Sequence, residues 1–246
     1  MKVKVLGTQS PYSTEGHHCP GFLVTKGETK ILLDCGSGIN SLLNFPEDLK
    51  NLNIIISHLH RDHYSDLFNL FYASAVFKRQ GRLNDKINVY LPSTPELTYK
   101  DICSEKDSYA NIDVINQDKE IKINDIKITF SKNDHPVETY SVKITDGKKT
   151  IVYTSDVSYS SKDKLVKFSS NADLLISEAS LLVSHGFPEI CNHLTAKQAA
   201  TIAKDANVKK LVLTHFWPEE NLDRYLDEAE EVFDNVFVAI EKMIIE

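Results

Sequence analysis

The segment after Met1, KVKVLG, alternates charged and apolar positions, the period-two pattern of a strand with one buried face. Short β-rich runs follow in GFLVT and, after a Lys-Gly turn, in TKILLDCG, and NIIIS predicts a further strand. A helix is predicted at 38–44. From Tyr64 to about Gln80, Leu67, Leu70, Phe71, Ser74 and Phe77 recur at three- and four-residue spacing, which predicts a longer one. Strands are predicted at 87–91, 112–116, 121–131, 140–145 and 149–154, with TDGKK as a hairpin turn because Asp-Gly tolerates positive φ. In the last third, ADLLISEA and KKLVLTHF read as strands. LTAKQAATIAKDAN reads as a helix with Thr195 as its N-cap, and NLDRYLDEAEEVF as a helix with an acidic outer side. Periodicity alone gives an α/β protein. Strand-rich segments in both halves, with helices outside, fit a four-layer αββα sandwich. No linker, low-complexity tract or internal repeat interrupts the chain, so residues 1–246 are expected to form one domain.

Composition narrows the function classes. The chain has 246 residues, 41% apolar and 26% charged, as a globular domain requires. Its apolar runs fall far short of the ~20 residues of a membrane span, and MKVKVLGTQS lacks a secretory apolar core. Cys19, Cys35, Cys103 and Cys191 are widely spaced with no CxxC pair, which speaks against a zinc ribbon or a disulfide framework and for a reducing cytoplasm. A formal charge of −7 argues against broad nucleic-acid binding. Only Arg61, Arg79, Arg82 and Arg224 could clamp a phosphate in bidentate fashion.

One pattern carries the chemistry. Four times an apolar strand ends and a ligand-type residue follows: IIIS before His58, IKITFSKND before His135, IVYTS before Asp156, and LVLT before His215. Loops beyond strand ends are held rigidly yet stay open, so four such placements point to one site. The segment HLHRDH, residues 58–63, sharpens this. His58 and His60 project to one side of an extended loop and can share a cation, whereas adjacent Asp62 and His63 diverge toward a second. With His135, Asp156 and His215 this makes seven donors. Two four-coordinate protein spheres need eight, so one residue should bridge, and Asp156, a carboxylate with two oxygens, is the candidate. Nitrogen and oxygen ligation without thiolate suits Zn²⁺ first, with Mn²⁺ or Fe as alternatives. Two such ions would hold a bridging hydroxide as nucleophile and neutralise charge on the attacked group.

The H-x-H-x-D-H segment after a buried strand, with later His135, Asp156 and His215, resembles the metallo-β-lactamase superfamily over nearly the whole chain, in order. The resemblance implies the αββα sandwich with a dinuclear centre at one edge. Site one would be His58, His60, His135 and Asp156; site two would be Asp62, His63, Asp156 and His215. ILLDCGSG matches the family's early D-x-G turn, whose acid, Asp34, supports the ligand loop from behind. The superfamily's true β-lactamases carry cysteine where Asp156 falls, so antibiotic hydrolysis is disfavoured. ADLLISEASLL followed by HLTAKQAATIAKDANVKKLVLTHF is similar to the ribonuclease Z-like phosphodiesterase branch. That match gives catalytic roles to His193, as proton donor to a leaving alkoxide, and to Glu178, which orients it; Asp62 is counted with them.

The chain departs from that branch in one respect. Ribonuclease Z carries a long tRNA-gripping arm between the third metal histidine and the bridging aspartate, and here the 21 positions from His135 to Asp156 hold two predicted strands and a hairpin. The expected function is therefore a cytoplasmic metal-dependent phosphodiesterase acting on a small-molecule or nucleotide phosphodiester, with 3′-tRNA processing not favoured. Thioester, lactone or sulfate-ester hydrolysis on the same ligands is the alternative. A di-iron oxidoreductase is disfavoured because His60 stands where its usual glutamate would, and a non-catalytic scaffold because no ligand is lost. His193 could instead simply pack at its helix start, and Glu178 could face water. His17, His18 and Cys19 lie in a loop at 7–20 and His185 in one at 184–193, the two segments expected to set specificity. Phe216 and Trp217 could stack a base or fill the core, and Lys100 and Lys106 read as solvated charges. The aromatic 64–80 helix is expected to pair two copies as a homodimer.

Overall fold

The computed structural model describes residues 1–84, 86–104, 109–186 and 191–246. The chain divides into two compact units, one of residues 1–115 with 240–246 and the other of residues 116–239.

In the first unit the strands are β1 (Lys2–Gly7), β2 (Gly21–Lys26), β3 (Thr29–Leu33), β4 (Leu52–Ile55), β5 (Ile87–Leu91) and β6 (Ala110–Val114). They form one mixed sheet in chain order, closed at the β1 edge by the short strand Ile244–Ile245. β1 to β3 run antiparallel and β3 to β6 parallel. β1 alternates, with Val3 and Val5 buried, whereas β4 lies between parallel neighbours and is buried at all four positions. Among the described residues of this unit the helices are α1 (Arg61–Tyr64), α2 (Leu67–Arg79) and α3 (Glu96–Cys103). α2 buries Leu67, Leu70, Phe71 and Ser74 in the unit's core, the stripe its spacing predicts. Residues 38–44 are not an α-helix. Only a 3₁₀ turn forms at Ile39–Leu42, of which Ile39 alone is buried, so no apolar face exists to hold more turns.

The second unit repeats the plan with β7 (Glu120–Ile123), β8 (Ile126–Lys132), β9 (Tyr140–Thr145), β10 (Thr150–Tyr153), β11 (Leu174–Glu178), β12 (Leu211–Thr214) and β13 (Val236–Val238). β7 to β10 run antiparallel and β10 to β13 parallel. Its helices are α4 (Lys162–Ser169), α5 (Ala196–Asp205) and α6 (Leu222–Glu230). The strand predicted at 121–131 is two strands, paired so that Ile123 faces Ile126 across an Asn124-Asp125 turn. Asn124 sits at φ 53°, a left-handed conformation that asparagine tolerates. The apolar period slips by one residue there, which is the signal for the turn. Asp146 Oδ1 accepts the backbone N–H groups of Lys148 and Lys149 and closes the next hairpin, as TDGKK predicts. Thr195 and Gln198 cap α5 reciprocally, which contributes about 1 kcal/mol. α3 and α4 are unforeseen: α3 buries Ile102 alone and α4 one apolar residue, Leu165, too little periodicity to read.

Candidate metal centre

In the first unit the ligand-type residues follow β4 almost directly, because its apolar run ends at Ile56, one residue beyond the strand, and the chain that continues as Ser57 and His58 is still buried. His58 and His63 are buried, with ring centroids 4.1 Å apart, and His58 Nε2 lies 3.1 Å from His60 Nδ1. Asp34, buried at the end of β3 with φ 58°, organises them. It accepts the Ser57 backbone N–H at 2.7 Å, the Ser57 hydroxyl at 2.9 Å and His63 Nδ1–H at 2.8 Å. Ser57 Oγ in turn lies 3.2 Å from His58 Nδ1. One carboxylate therefore takes Nδ1–H of one imidazole directly and of a second through a serine. Each ring is left with its lone pair on Nε2, the nitrogen a cation would take. Asp62 stands on α1, its Oδ2 3.5 Å from His63 Nε2, and the Ser10 hydroxyl donates to it at 2.8 Å.

The second unit repeats this wiring from scattered segments. Glu178 ends β11 fully buried, so it does not face water. It accepts His193 Nδ1–H at 3.0 Å, and His193 does not pack idly at its helix start. It also accepts the Val157 backbone N–H at 2.8 Å and the Ser180 hydroxyl at 2.9 Å. Ser180 Oγ accepts His215 Nδ1–H at 2.7 Å, and His215 Nε2 is aimed at Asp156 Oδ1, 3.1 Å away. His135 gives Nδ1–H to the Asn192 carbonyl at 3.2 Å and turns Nε2 toward Asp156 Oδ2 at 3.8 Å. Donor atoms of Asp156, His193 and His215 all lie within 4.8 Å of one another. His215 itself at φ 67° and Ser155 before Asp156 at φ 54° hold left-handed backbone, an unfavourable conformation for a non-glycine residue, at the two turns that bring His215 and Asp156 together. Burial alone would favour the neutral form of His193, but the adjoining Glu178 carboxylate outweighs it and raises the imidazole pKa to about 10.

Four supporting residues escape a reading of the sequence alone. Ser57 and Ser180 carry the relays, and Ser10 holds Asp62. Asn133 is buried, giving its amide N–H groups to the Thr154 and Asp156 carbonyls at 2.8 and 2.9 Å, while its Oδ1 accepts the Ser141 hydroxyl. It thereby ties the end of β8 to the turn that presents Asp156. The only signal is spacing, since Ser57 adjoins His58 and Ser180 lies two residues from Glu178, and serine is too common for either to stand out.

The remaining singled-out residues have other partners. His18 gives Nδ1–H to Glu241 at 2.8 Å and fastens its loop to the C-terminal segment, while His17 is exposed. Burial, then the Asp62 charge, pushes the Cys19 thiol up to about 11, which keeps it protonated. All four cysteines are free thiols. His185 stacks on Trp217 and bonds Glu220 at 2.9 Å, and Arg224 grips the same carboxylate. Phe216 is core, packed on Tyr225. Lys100 is exposed beside Glu96; Lys106, and 187–190 of the 184–193 loop, lie outside the described residues.

The donor set fits divalent cations. Imidazoles with Nδ1 committed to buried acceptors and Nε2 presented, beside carboxylates and without thiolate, are the chemistry of zinc, manganese or iron sites.

Comparison with known proteins agrees. Residues 29–216 match the Beta-lactamase superfamily domain family. The chain is 32% identical over 243 residues to the probable metallo-hydrolase YhfI of Bacillus subtilis, covering 95% of this chain and 94% of that one. It is 27% identical to the ribonuclease Z of Archaeoglobus fulgidus, covering 100% of this chain and 97% of the relative. The crystal structure of the metallo-β-lactamase fold protein YhfI superposes with a TM-score of 0.90 at 31% identity, over 99% of this chain and 98% of that one. The α/β fold class expected from the sequence is thus shown.

Proposed function

The chain belongs to the β-lactamase superfamily of metallo-hydrolases, and from that membership we propose that it is a dinuclear metal hydrolase whose substrate is a phosphodiester. In this reading the two units work as one domain. His58, His60, His135 and Asp156 hold one ion, and Asp62, His63, Asp156 and His215 the other, zinc first among the candidates. When bound, such a pair supplies a hydroxide nucleophile and offsets charge developing on the attacked group.

The observation that carries the choice of bond is the Glu178–His193 pair, 3.0 Å apart and beside His215. A thiolate leaves unaided near neutral pH, since thiols have a pKa of about 8.5. An alkoxide is far more basic and needs a proton as it departs. His193, held protonated by Glu178, presents that proton on Nε2. Asp34 and Ser57 keep His58 and His63 in the tautomer that can bind a cation, and Asn133 holds the Asp156 turn. A ribonuclease Z aligning end to end with the chain supports the same bond. A small-molecule or nucleotide diester is favoured over tRNA, because β9, β10 and their hairpin occupy the stretch between His135 and Asp156 where a gripping arm would lie.

A homodimer through the 64–80 helix belongs to the proposal, supported by Tyr72 and Val76, 56% and 51% exposed on α2. Four free thiols support a reducing compartment, and no helix among the described residues is long and apolar enough to cross a membrane. The test is a panel of bis(p-nitrophenyl) phosphate, a thioester, a lactone and a precursor tRNA, offered to zinc-loaded protein. Turnover of the diester alone is expected; turnover of the thioester or lactone alone would move the function to the alternative, and tRNA cleavage would overturn the argument from the arm.

A further inference from the structure

A cavity of about 440 Å³ opens beside His193 in the second unit. Its walls include Leu181 and Leu182 with Tyr159 from one side and Gln198 and Thr201 of α5 from the other. His193 therefore stands at a boundary. Its ring stacks on His215 with centroids 5.5 Å apart, and the same residue lines this cavity. With Nδ1 committed to Glu178, its remaining proton-bearing nitrogen is Nε2.

Resting on the phosphodiesterase reading above, we infer that this cavity is the leaving-group subsite and that it takes a group uncharged beyond its departing oxygen. In the reaction the bond from phosphorus to that oxygen breaks and its electron pair stays on the oxygen. The Nε2 proton of His193 completes the alcohol, and water supplies the oxygen that phosphorus gains. The group bearing that oxygen must extend away from phosphorus past His193, which is where the cavity lies.

Its chemistry selects what can enter. Among the described residues the only Lys or Arg in the lining is Lys197, whose ammonium meets Glu231 at 2.8 Å, while Glu228 accepts its backbone N–H at 3.0 Å. A second phosphate would meet no uncompensated positive charge here, because Lys197 has Glu231 and Glu228 behind it and the His193 imidazolium is paired with Glu178. The leucines offer apolar contact. Gln198 spends Oε1 on the Thr195 N–H at 2.9 Å, and its Nε2 has no partner among the described residues, so it can donate to a neutral oxygen or ring nitrogen. An aromatic or nucleoside alcohol suits these walls; a leaving group that itself carries a phosphate does not.

The test compares bis(p-nitrophenyl) phosphate with a nucleoside diphosphate on the zinc-loaded protein, in wild type and in Thr201→Phe, which fills the cavity from a half-buried helix position. The wild type should favour the aryl diester by about tenfold or more in kcat/KM, and Thr201→Phe should raise KM by about tenfold with kcat little changed. Gln198→Ala should raise KM by less. Independently of turnover, p-nitrophenol added to the protein should shift the NMR signals of the Gln198 side-chain amide and the Leu182 methyls, and Thr201→Phe should abolish those shifts. Equal or better turnover of the diphosphate would overturn the charge argument. Unaltered KM in Thr201→Phe, or no NMR shift at millimolar p-nitrophenol, would overturn the subsite. A protein that binds p-nitrophenol there but cleaves only a thioester or lactone would keep the cavity as a leaving-group subsite and overturn the phosphodiester reading.

Discussion

The two units solve one problem with the same wiring and differ in one exposure. In the first, Asp34 takes His63 directly and His58 through Ser57; in the second, Glu178 takes His193 directly and His215 through Ser180. The His63 side chain is fully buried, whereas that of His193 is 29% exposed beside a cavity. A buried imidazole fixed through Nδ1 has only a cation to meet. An equally fixed but exposed imidazole can meet substrate. On the proposed reading, access rather than wiring separates a metal ligand from a proton donor.

The largest effect that would sharpen this comparison is a split between the two directly held rings. His193→Ala should lower kcat for a dinucleoside monophosphate, whose leaving group is an alkoxide, by about 10²–10⁴-fold, and should lower it far less for bis(p-nitrophenyl) phosphate, whose leaving group is less basic than a thiolate, while elemental analysis still finds the metal content of wild type. His63→Ala should lose an ion as well as activity. Loss of metal in His193→Ala would make it a ligand and erase the distinction drawn here.

Next are the carboxylates. Asp34→Asn should weaken metal binding by about 10–100-fold, read by chelator competition, and excess metal should restore much of the activity. Glu178→Gln should leave a deficit in kcat that excess metal does not restore, because His193 loses its charged partner. The pH behaviour gives the sign. In metal-free wild type the His193 ring should stay protonated through neutral pH and release its proton only near pH 10, as followed by imidazole NMR. In Glu178→Gln the largest influence opposing burial is gone, while Asp156 and Cys191 still raise the pKa, so it should fall well below that of wild type. An unchanged titration would remove Glu178 as the cause.

The smallest effects belong to the serine relays. Ser57→Ala and Ser180→Ala should each weaken metal binding by about tenfold or less, since backbone and neighbouring contacts still hold the acids. A larger loss from either would mean that the serine, not the carboxylate, sets the ring.

This comparison also explains what the sequence makes legible. HLHRDH packs four donors into six residues behind a buried strand, so its chemistry stands out locally. His135, Asp156 and His215 are separately unremarkable and gain meaning only because each follows a strand end. The relays were not legible because Ser57 and Ser180 act through hydroxyl directions, which spacing does not encode. Nor was the role of Asn133, whose partners Thr154 and Asp156 lie more than twenty residues away. In the fold, long buried runs such as β4 and β12 read cleanly. The break at Asn124 and the weakly amphipathic helices α3 and α4 did not, because one residue of period shift or one buried side chain is too small a signal.

The central claim, that these two clusters together hold two cations and cleave a phosphodiester, is tested most directly on one purified sample. Metal is removed by chelation and zinc returned in steps, while bound zinc per chain and turnover of bis(p-nitrophenyl) phosphate are measured together. The account predicts that activity reaches its plateau at two zinc ions per chain and that Asp156→Ala binds fewer and stays inactive. A plateau at one ion, or full occupancy of two without diester turnover, would contradict it.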